Sequence, residues 1–231
     1  MKTLGIIGGI GPESTIEYYR AIIAGYRERR ADGDYPSIII NSINLTRMIE
    51  LITANELAVV ADVLVAEVER LARAGADFGL MASNTPHIVF DEVQRRSSMP
   101  LLSIVQAACD AAKALGLKKV GLFGTRFTMQ ARFYPDVFAR AGIQLILPQL
   151  DEQAFIHGKY MGELLNNVFL EETRQRLLAI VEQMKRREGI ECLILGGTEL
   201  PLILRDSASS GIPFLDTTLI HAKAAVAQLL A

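Results

Sequence analysis

Short apolar runs alternate along the chain with longer amphipathic stretches. The runs at 4–7, 37–43, 78–82, 101–104, 120–123, 144–147, 192–195 and 214–215 are largely apolar at successive positions and read as strands. Helical spacing of apolar residues covers 13–29, 55–74, 105–115, 129–141, 158–167, 173–188 and 217–230. Strands apolar on both faces and separated by helices predict an α/β fold of parallel sheets covered by helices. Gly75, Gly116, Gly142 and Gly189 stand where helices should end, which suits left-handed caps.

The order of these elements hints at an internal repeat. Gly8 and Gly124 each end a strand and open a loop, and Ser83 and Gly197 each end a later strand. The separations are similar, 75 residues from Gly8 to Ser83 and 73 from Gly124 to Gly197. Arg73-Ala74-Gly75-Ala76-Asp77 leads into one of the later strands and Arg187-Glu188-Gly189-Ile190-Glu191 into the other. The expectation is two pseudosymmetric lobes, 1–104 with 211–231 and 105–210, facing each other across an active-site cleft. Ligands are then expected beyond the carboxyl ends of the strands.

Composition narrows the class. Half of the 231 residues are apolar, enough for a large core, and 24 basic against 26 acidic residues give a formal charge of −2. No clustered basic excess points to nucleic acid. The apolar run near the N-terminus is too short for a signal or a membrane span, so the chain reads as cytoplasmic with no membrane partner. Cys109 and Cys192 lie far apart without CxxC or Cys/His neighbours, which argues against a disulfide framework or a metal site.

Four loops leave strand ends and open helices, where free backbone N–H groups and the helix dipole favour a carboxylate. The first, Gly8-Gly9-Ile10-Gly11-Pro12-Glu13-Ser14-Thr15, lacks dinucleotide spacing; Gly9, Ser14 and Thr15 are its candidate contacts, with capping as the alternative for the hydroxyls. The second, Ser83-Asn84-Thr85-Pro86-His87, places Asn84 and Thr85 at a strand end and His87 in a first helical turn, partly exposed or polarising a substrate. The third offers the hydroxyls of Thr125 and Thr128, and the fourth, Gly196-Gly197-Thr198-Glu199, allows close backbone approach, with Thr198 as cap or ligand. Glu199 suits either a helix dipole or a substrate ammonium. Arg47 is a candidate bidentate carboxylate clamp, or a plain surface arginine. His221, one turn into the last helix after Asp216-Thr217, faces the cleft or packs there.

Taken together, these loops resemble those of the cofactor-independent aspartate/glutamate racemase superfamily over essentially the whole chain. The resemblance implies two lobes with the active site between them, a homodimer, an amino-acid or other small carboxylate substrate, and no pyridoxal phosphate or other cofactor. It also implies Cys-Asn-Thr in the second loop and Gly-Cys-Thr-Glu in the fourth, one thiolate removing the α-proton and the other thiol returning one. Those cysteines fall on Ser83 and Gly197. Cys192 is no substitute, since five residues of strand span about 16 Å. A thiol titrates near ~8.5 and can be lowered further, whereas a serine hydroxyl needs a neighbouring base. Standard two-thiol racemisation is therefore expected to be absent or very slow, while the binding frame remains.

The readings left open are four. One is an isomerase-type enzyme acting at an α-carbon, with Ser83, His87 or His221 in the chemistry. Another is a lyase or decarboxylase in which Gly197 widens the pocket and Ser83 donates a proton. The third is a non-catalytic carboxylate binder. The last is an engineered Cys→Ser exchange at position 83, against which glycine at 197 argues.

Overall fold

The computed structural model describes residues 2–30, 32–204 and 210–231. Contacts divide the chain into two compact units, Met1–Ala107 with Thr218–Ala231, and Ala108–Thr217.

The first unit runs β1 (Thr3–Gly8), α1 (Pro12–Arg29), β2 (Ser37–Ser42), α2 (Leu45–Thr53), α3 (Leu57–Arg73), β3 (Phe78–Met81), a 3-10 turn (Thr85–Val89), α4 (Phe90–Arg96) and β4 (Leu101–Leu102). Helix α5 (Ile104–Ala114) leads into the second unit. There follow β5 (Lys119–Gly124), α6 (Arg126–Gln130), α7 (Phe133–Arg140), β6 (Gln144–Ile146), α8 (Leu150–Gly162), a 3-10 turn (Leu164–Asn166), α9 (Glu171–Glu188), β7 (Cys192–Gly196), α10 (Leu200–Ile203) and β8 (Phe214–Asp216). Helix α11 (Thr217–Leu230) returns the chain to the first unit.

Each unit has a four-stranded sheet, in the orders β2-β1-β3-β4 and β6-β5-β7-β8, with every pairing parallel. The two orders are the same pattern, which is the internal repeat seen in the sequence. The central strands β1, β3, β5 and β7 are buried almost throughout, whereas the edge strands β2 and β6 are partly exposed. A central strand covered on both faces has no solvated side, hence the unbroken apolar runs. In the first unit Leu4, Ile6, Phe78 and Leu80 pack with Tyr18, Ile22 and Tyr26 of α1 and Ala222, Ala225, Val226 and Leu229 of α11. In the second, Phe123, Leu193 and Leu195 pack with α8 and α9 through Ile156, Tyr160, Leu177, Ile180, Val181 and Met184.

The helix-ending glycines have φ of 99, 70, 70 and 69° at Gly75, Gly116, Gly142 and Gly189, the region expected of such caps. Two of the expected helices need correction. The helix expected over 129–141 is two, α6 and α7, with Ala131 extended between them. Pro135 has no N–H and is tolerated in a first turn, so it marks a fresh helix start rather than a helix interior. The helix expected over 158–167 begins at Leu150, where Gln149 and Glu152 form a capping box. Helix α2 was not expected; Asn44 caps it by accepting from the Arg47 N–H at 3.0 Å. Among the described residues no helix is long and apolar enough to cross a membrane.

Candidate functional site

In the loop after β1 the hydroxyls turn inward. Thr15 Oγ1 accepts from the Gly9 N–H at 2.9 Å and donates to the Gly11 carbonyl at 3.2 Å. Thr15 is thus a staple of its own loop, and the Gly9 N–H expected to meet a ligand is already used. Gly9 has φ 79°, and a Cβ there would overlap the Ile43 carbonyl, so only glycine fits. Ser14 is buried. Pro12 opens α1 with Gly11 as its N-cap residue.

The loop after β3 rests on two buried histidines. His87 is buried, not partly exposed, and lies in the 3-10 turn. The Ile104 N–H can only donate, so His87 Nε2 accepts it at 3.2 Å, and the protonated Nδ1 donates to the Ser83 carbonyl at 2.9 Å. His221 uses the opposite tautomer. Its Nε2–H donates to the Leu102 carbonyl at 3.1 Å and its Nδ1 accepts from the Tyr18 hydroxyl at 2.8 Å. Burial, then the nearby His221, lowers His87 from 6.5 to about 3, and burial lowers His221 to about 4. Both rings are neutral at pH 7 and both nitrogens of each are committed. They hold the Ser83 loop and the Leu102–Ile104 backbone rather than offer a bare nitrogen as base. Ser83 and Thr85 are half-buried, and Asn84 is buried.

The loops of the second unit are built alike. Thr125 caps α6 by accepting from the Thr128 N–H at 3.2 Å, and the two hydroxyls lie 3.2 Å apart. His157 Nδ1 accepts from the Arg126 N–H at 3.2 Å, a helix-start role that sequence reading did not give it. After β7, Gly197, Thr198 and Glu199 are all buried. The Glu199 carboxylate receives hydrogen bonds from the Tyr160 hydroxyl and, at 2.9 Å, from Thr198 Oγ1. Tyr160 also fills the space at position 197. A Cβ on Gly197 would overlap Tyr160 Cε2 and stand 2.9 Å from its hydroxyl and 3.0 Å from Cζ. Burial, then the Glu199 charge, pushes the Tyr160 phenol well above its usual value, so it stays protonated at neutral pH. Tyr160 was absent from the sequence candidates, and its only signal was an apolar-face position in an amphipathic helix.

Arg47 lies in the first turn of α2, exposed, beside a cavity of about 190 Å³ that Asn41, Ser42, Asn44, Glu67 and Arg70 also line. Glu67 is held by Asn41 and by Arg70 at 2.7 Å, whereas Arg47 has no carboxylate partner among the described residues. Cys109 and Cys192 are both free and buried. Burial raises Cys109 and pushes Cys192 up to about 12, which disfavours the thiolate at both. Among the described residues no group of histidine, cysteine and carboxylate side chains has metal-site geometry.

Comparison with known proteins places this architecture. Residues 7–225 match the family model described as Asp/Glu/Hydantoin racemase. The broad specificity amino-acid racemase RacX of Bacillus subtilis (strain 168) is 25% identical over 232 residues, covering 99% of this chain and 98% of that protein. A Yersinia pestis protein provisionally assigned as an Asp/Glu racemase is 31% identical with both chains fully covered and a TM-score of 0.92. An aspartate racemase homologue from Pyrococcus horikoshii OT3 is 33% identical, again over the whole of both chains, with a TM-score of 0.85. The two like-ordered parallel sheets, the strand-end loops and the match over nearly the full length agree: the chain belongs to the Asp/Glu/hydantoin racemase family.

Proposed function

We propose that the protein binds a small amino-acid-like carboxylate and exchanges the proton on its α-carbon without pyridoxal phosphate, by a route other than two thiols. The observation that carries this is Arg47, a guanidinium without a carboxylate partner among the described residues, at a cavity beyond the strand ends of a racemase-family sheet. A guanidinium in that state suits bidentate capture of a carboxylate. Asn84, Thr85 and the neighbouring backbone N–H groups are the remaining candidate contacts, and their donors would stabilise an enediolate-like anion, whereas the Thr198 hydroxyl already donates to Glu199. Ser83 and Gly197 take the positions that the family resemblance assigns to the thiols, and neither side chain is a base at neutral pH. The lyase reading relied on Gly197 to open the pocket, and Tyr160 fills that space, so nothing favours it. By the same resemblance the working form is a homodimer, which sedimentation would check.

The test is a thermal-shift screen of small α-amino and α-hydroxy acids, followed by proton–deuterium exchange of the hits in D2O, read at the α-proton by NMR. At least one acid is expected both to stabilise the fold and to lose its α-proton signal. Arg47→Lys, which loses the bidentate geometry, is expected to weaken binding about tenfold, equivalent to roughly 1.4 kcal/mol. Stabilisation without exchange would leave a carboxylate-binding protein, and no hit at all would refute the proposal.

A further inference from the structure

Position 197 carries no side chain, yet the volume beside it is occupied by a polar group. The Tyr160 hydroxyl stands 2.9 Å from where a Cβ of residue 197 would be, within the space that a side chain there would enter. Tyr160, Thr198 and Glu199 are 5, 7 and 3% exposed, so three hydrogen-bonding groups are buried together beside a backbone that has given up its side chain. A buried carboxylate is costly unless it is hydrogen-bonded, and here two hydroxyls converge on Glu199 Oε2.

We infer that Tyr160 replaces the missing thiol as the group that exchanges a proton with the substrate α-carbon, with Glu199 as the positioning residue that takes up that proton through it. The inference rests on the α-carbon chemistry proposed above. In one concerted step the Cα–H bond breaks and its proton bonds to the Tyr160 oxygen, while the Tyr160 O–H bond breaks and that proton bonds to the Glu199 carboxylate. The electron pair left on Cα delocalises into the substrate carboxylate. Tyr160 is neutral before and after, and Glu199 passes from carboxylate to carboxylic acid. Reversal returns a proton to carbon. The relay avoids a free phenolate, because the proton that leaves the Tyr160 oxygen passes to the Glu199 carboxylate already hydrogen-bonded to it. Thr198 Oγ1, 2.9 Å from the same carboxylate oxygen, steadies the acceptor.

The experiment uses the full chain, with deuterium wash-in to D- and L-aspartate, D- and L-glutamate and a broad panel of other amino and hydroxy acids. Because the relay serves one face of the α-carbon, the wild type is expected to exchange one antipode much faster than the other. Tyr160→Phe and Glu199→Gln are each expected to slow exchange by about a hundredfold or more, the usual range for losing a general base. Ligand-induced thermal stabilisation should persist in both variants, and Glu199→Asp should restore part of the rate. Exchange by Tyr160→Phe within threefold of wild type would overturn the relay and leave the α-carbon chemistry standing. Should the variants fail to fold, the solvent proton inventory of the wild type decides. The proton inventory is expected to be linear with a normal solvent isotope effect, from the single exchangeable proton that moves from Tyr160 to Glu199, together with a primary isotope effect from α-deuterated substrate; a primary substrate effect with no solvent effect overturns the relay. Silence of the wild type across the whole panel would refute the α-carbon chemistry itself, and the relay with it.

Discussion

His87 and His221 are buried in opposite tautomers, each with both ring nitrogens hydrogen-bonded, and their values fall from 6.5 to about 3 and about 4. A histidine whose folded value is depressed binds fewer protons folded than unfolded between the two values. Stability therefore rises with pH across that window: the contribution is full above 6.5 and is lost progressively toward 3 to 4. Between pH 6.5 and 5, above most carboxylate titration, each ring is expected to cost about 1.5 kcal/mol of stability as pH falls. Urea unfolding at the two pH values checks the sum, and ring-proton NMR should show neither histidine titrating down to pH 5. The same residues show how far the sequence reached. It found the loops, and with them His87, His221 and Glu199, because strand-end position is readable from apolar runs. It took His87 as partly exposed, which the structure corrects, and left His221 between facing the cleft and packing, because burial and tautomer depend on partners distant in sequence: Ile104 is 17 residues from His87, and Tyr18 is 203 from His221. Tyr160 was invisible for the same reason, lying 39 residues from the Glu199 it contacts.

At the scale of elements, central strands and long amphipathic helices were legible, and the breaks between short helices were not. The start of α8 illustrates the physics. Gln149 accepts from the third helical N–H while Glu152 reaches back to the Gln149 N–H at 2.8 Å, a capping box with glutamine in the place where serine or threonine is usual. Glu152 also receives both terminal nitrogens of Arg187 on α9 at 2.9 Å each, and hydrogen bonding from Arg187 holds its carboxyl below the usual range. Its side chain is 3% exposed against 30% for Arg187, so this is a half-buried, bidentate ion pair tying two helices as well as a cap. Glu152→Ala removes both functions and strands the guanidinium at a helix face. The expected loss is about 2–3 kcal/mol, a cap of about 1 kcal/mol plus the pair discounted for solvent at Arg187. Glu152→Gln, which keeps the reach but not the charge, should lose about half of that. Urea denaturation of the two variants at pH 7 separates cap from charge.

For the molecule as a whole, one strand order used twice is threaded by a chain that leaves the first unit at Ala107 and re-enters it at Thr218. The repeat was readable from glycine spacing because close backbone approach at a strand end admits few residues. The return of the last helix to the first unit has a further consequence. Thr217 fastens to the second unit through its hydroxyl, which donates to the Leu195 carbonyl at 2.7 Å, and the rest of α11 supplies Ala222, Ala225, Val226 and Leu229 to the core of the first. His221, on the same helix, accepts the hydroxyl of the fully buried Tyr18. A fragment of residues 1–107 therefore lacks one wall of its core and leaves a buried phenol without its partner. Burial of those four side chains stabilises the unit by several kcal/mol at the usual ~25 cal/mol per Å² of apolar area, comparable to the whole margin of a small domain. The fragment alone is expected to be loosely packed, binding a hydrophobic dye and giving poor amide dispersion. Adding a peptide of residues 217–231 in trans should restore a cooperative transition whose midpoint rises with peptide concentration, as mass action requires. The same peptide carrying Val226→Asp should fail to do so, because an unpaired carboxylate in that core costs more than the helix contributes. A cooperative unfolding transition for 1–107 without the peptide would show that the sheet and α1 alone suffice, and that α11 is only a cover.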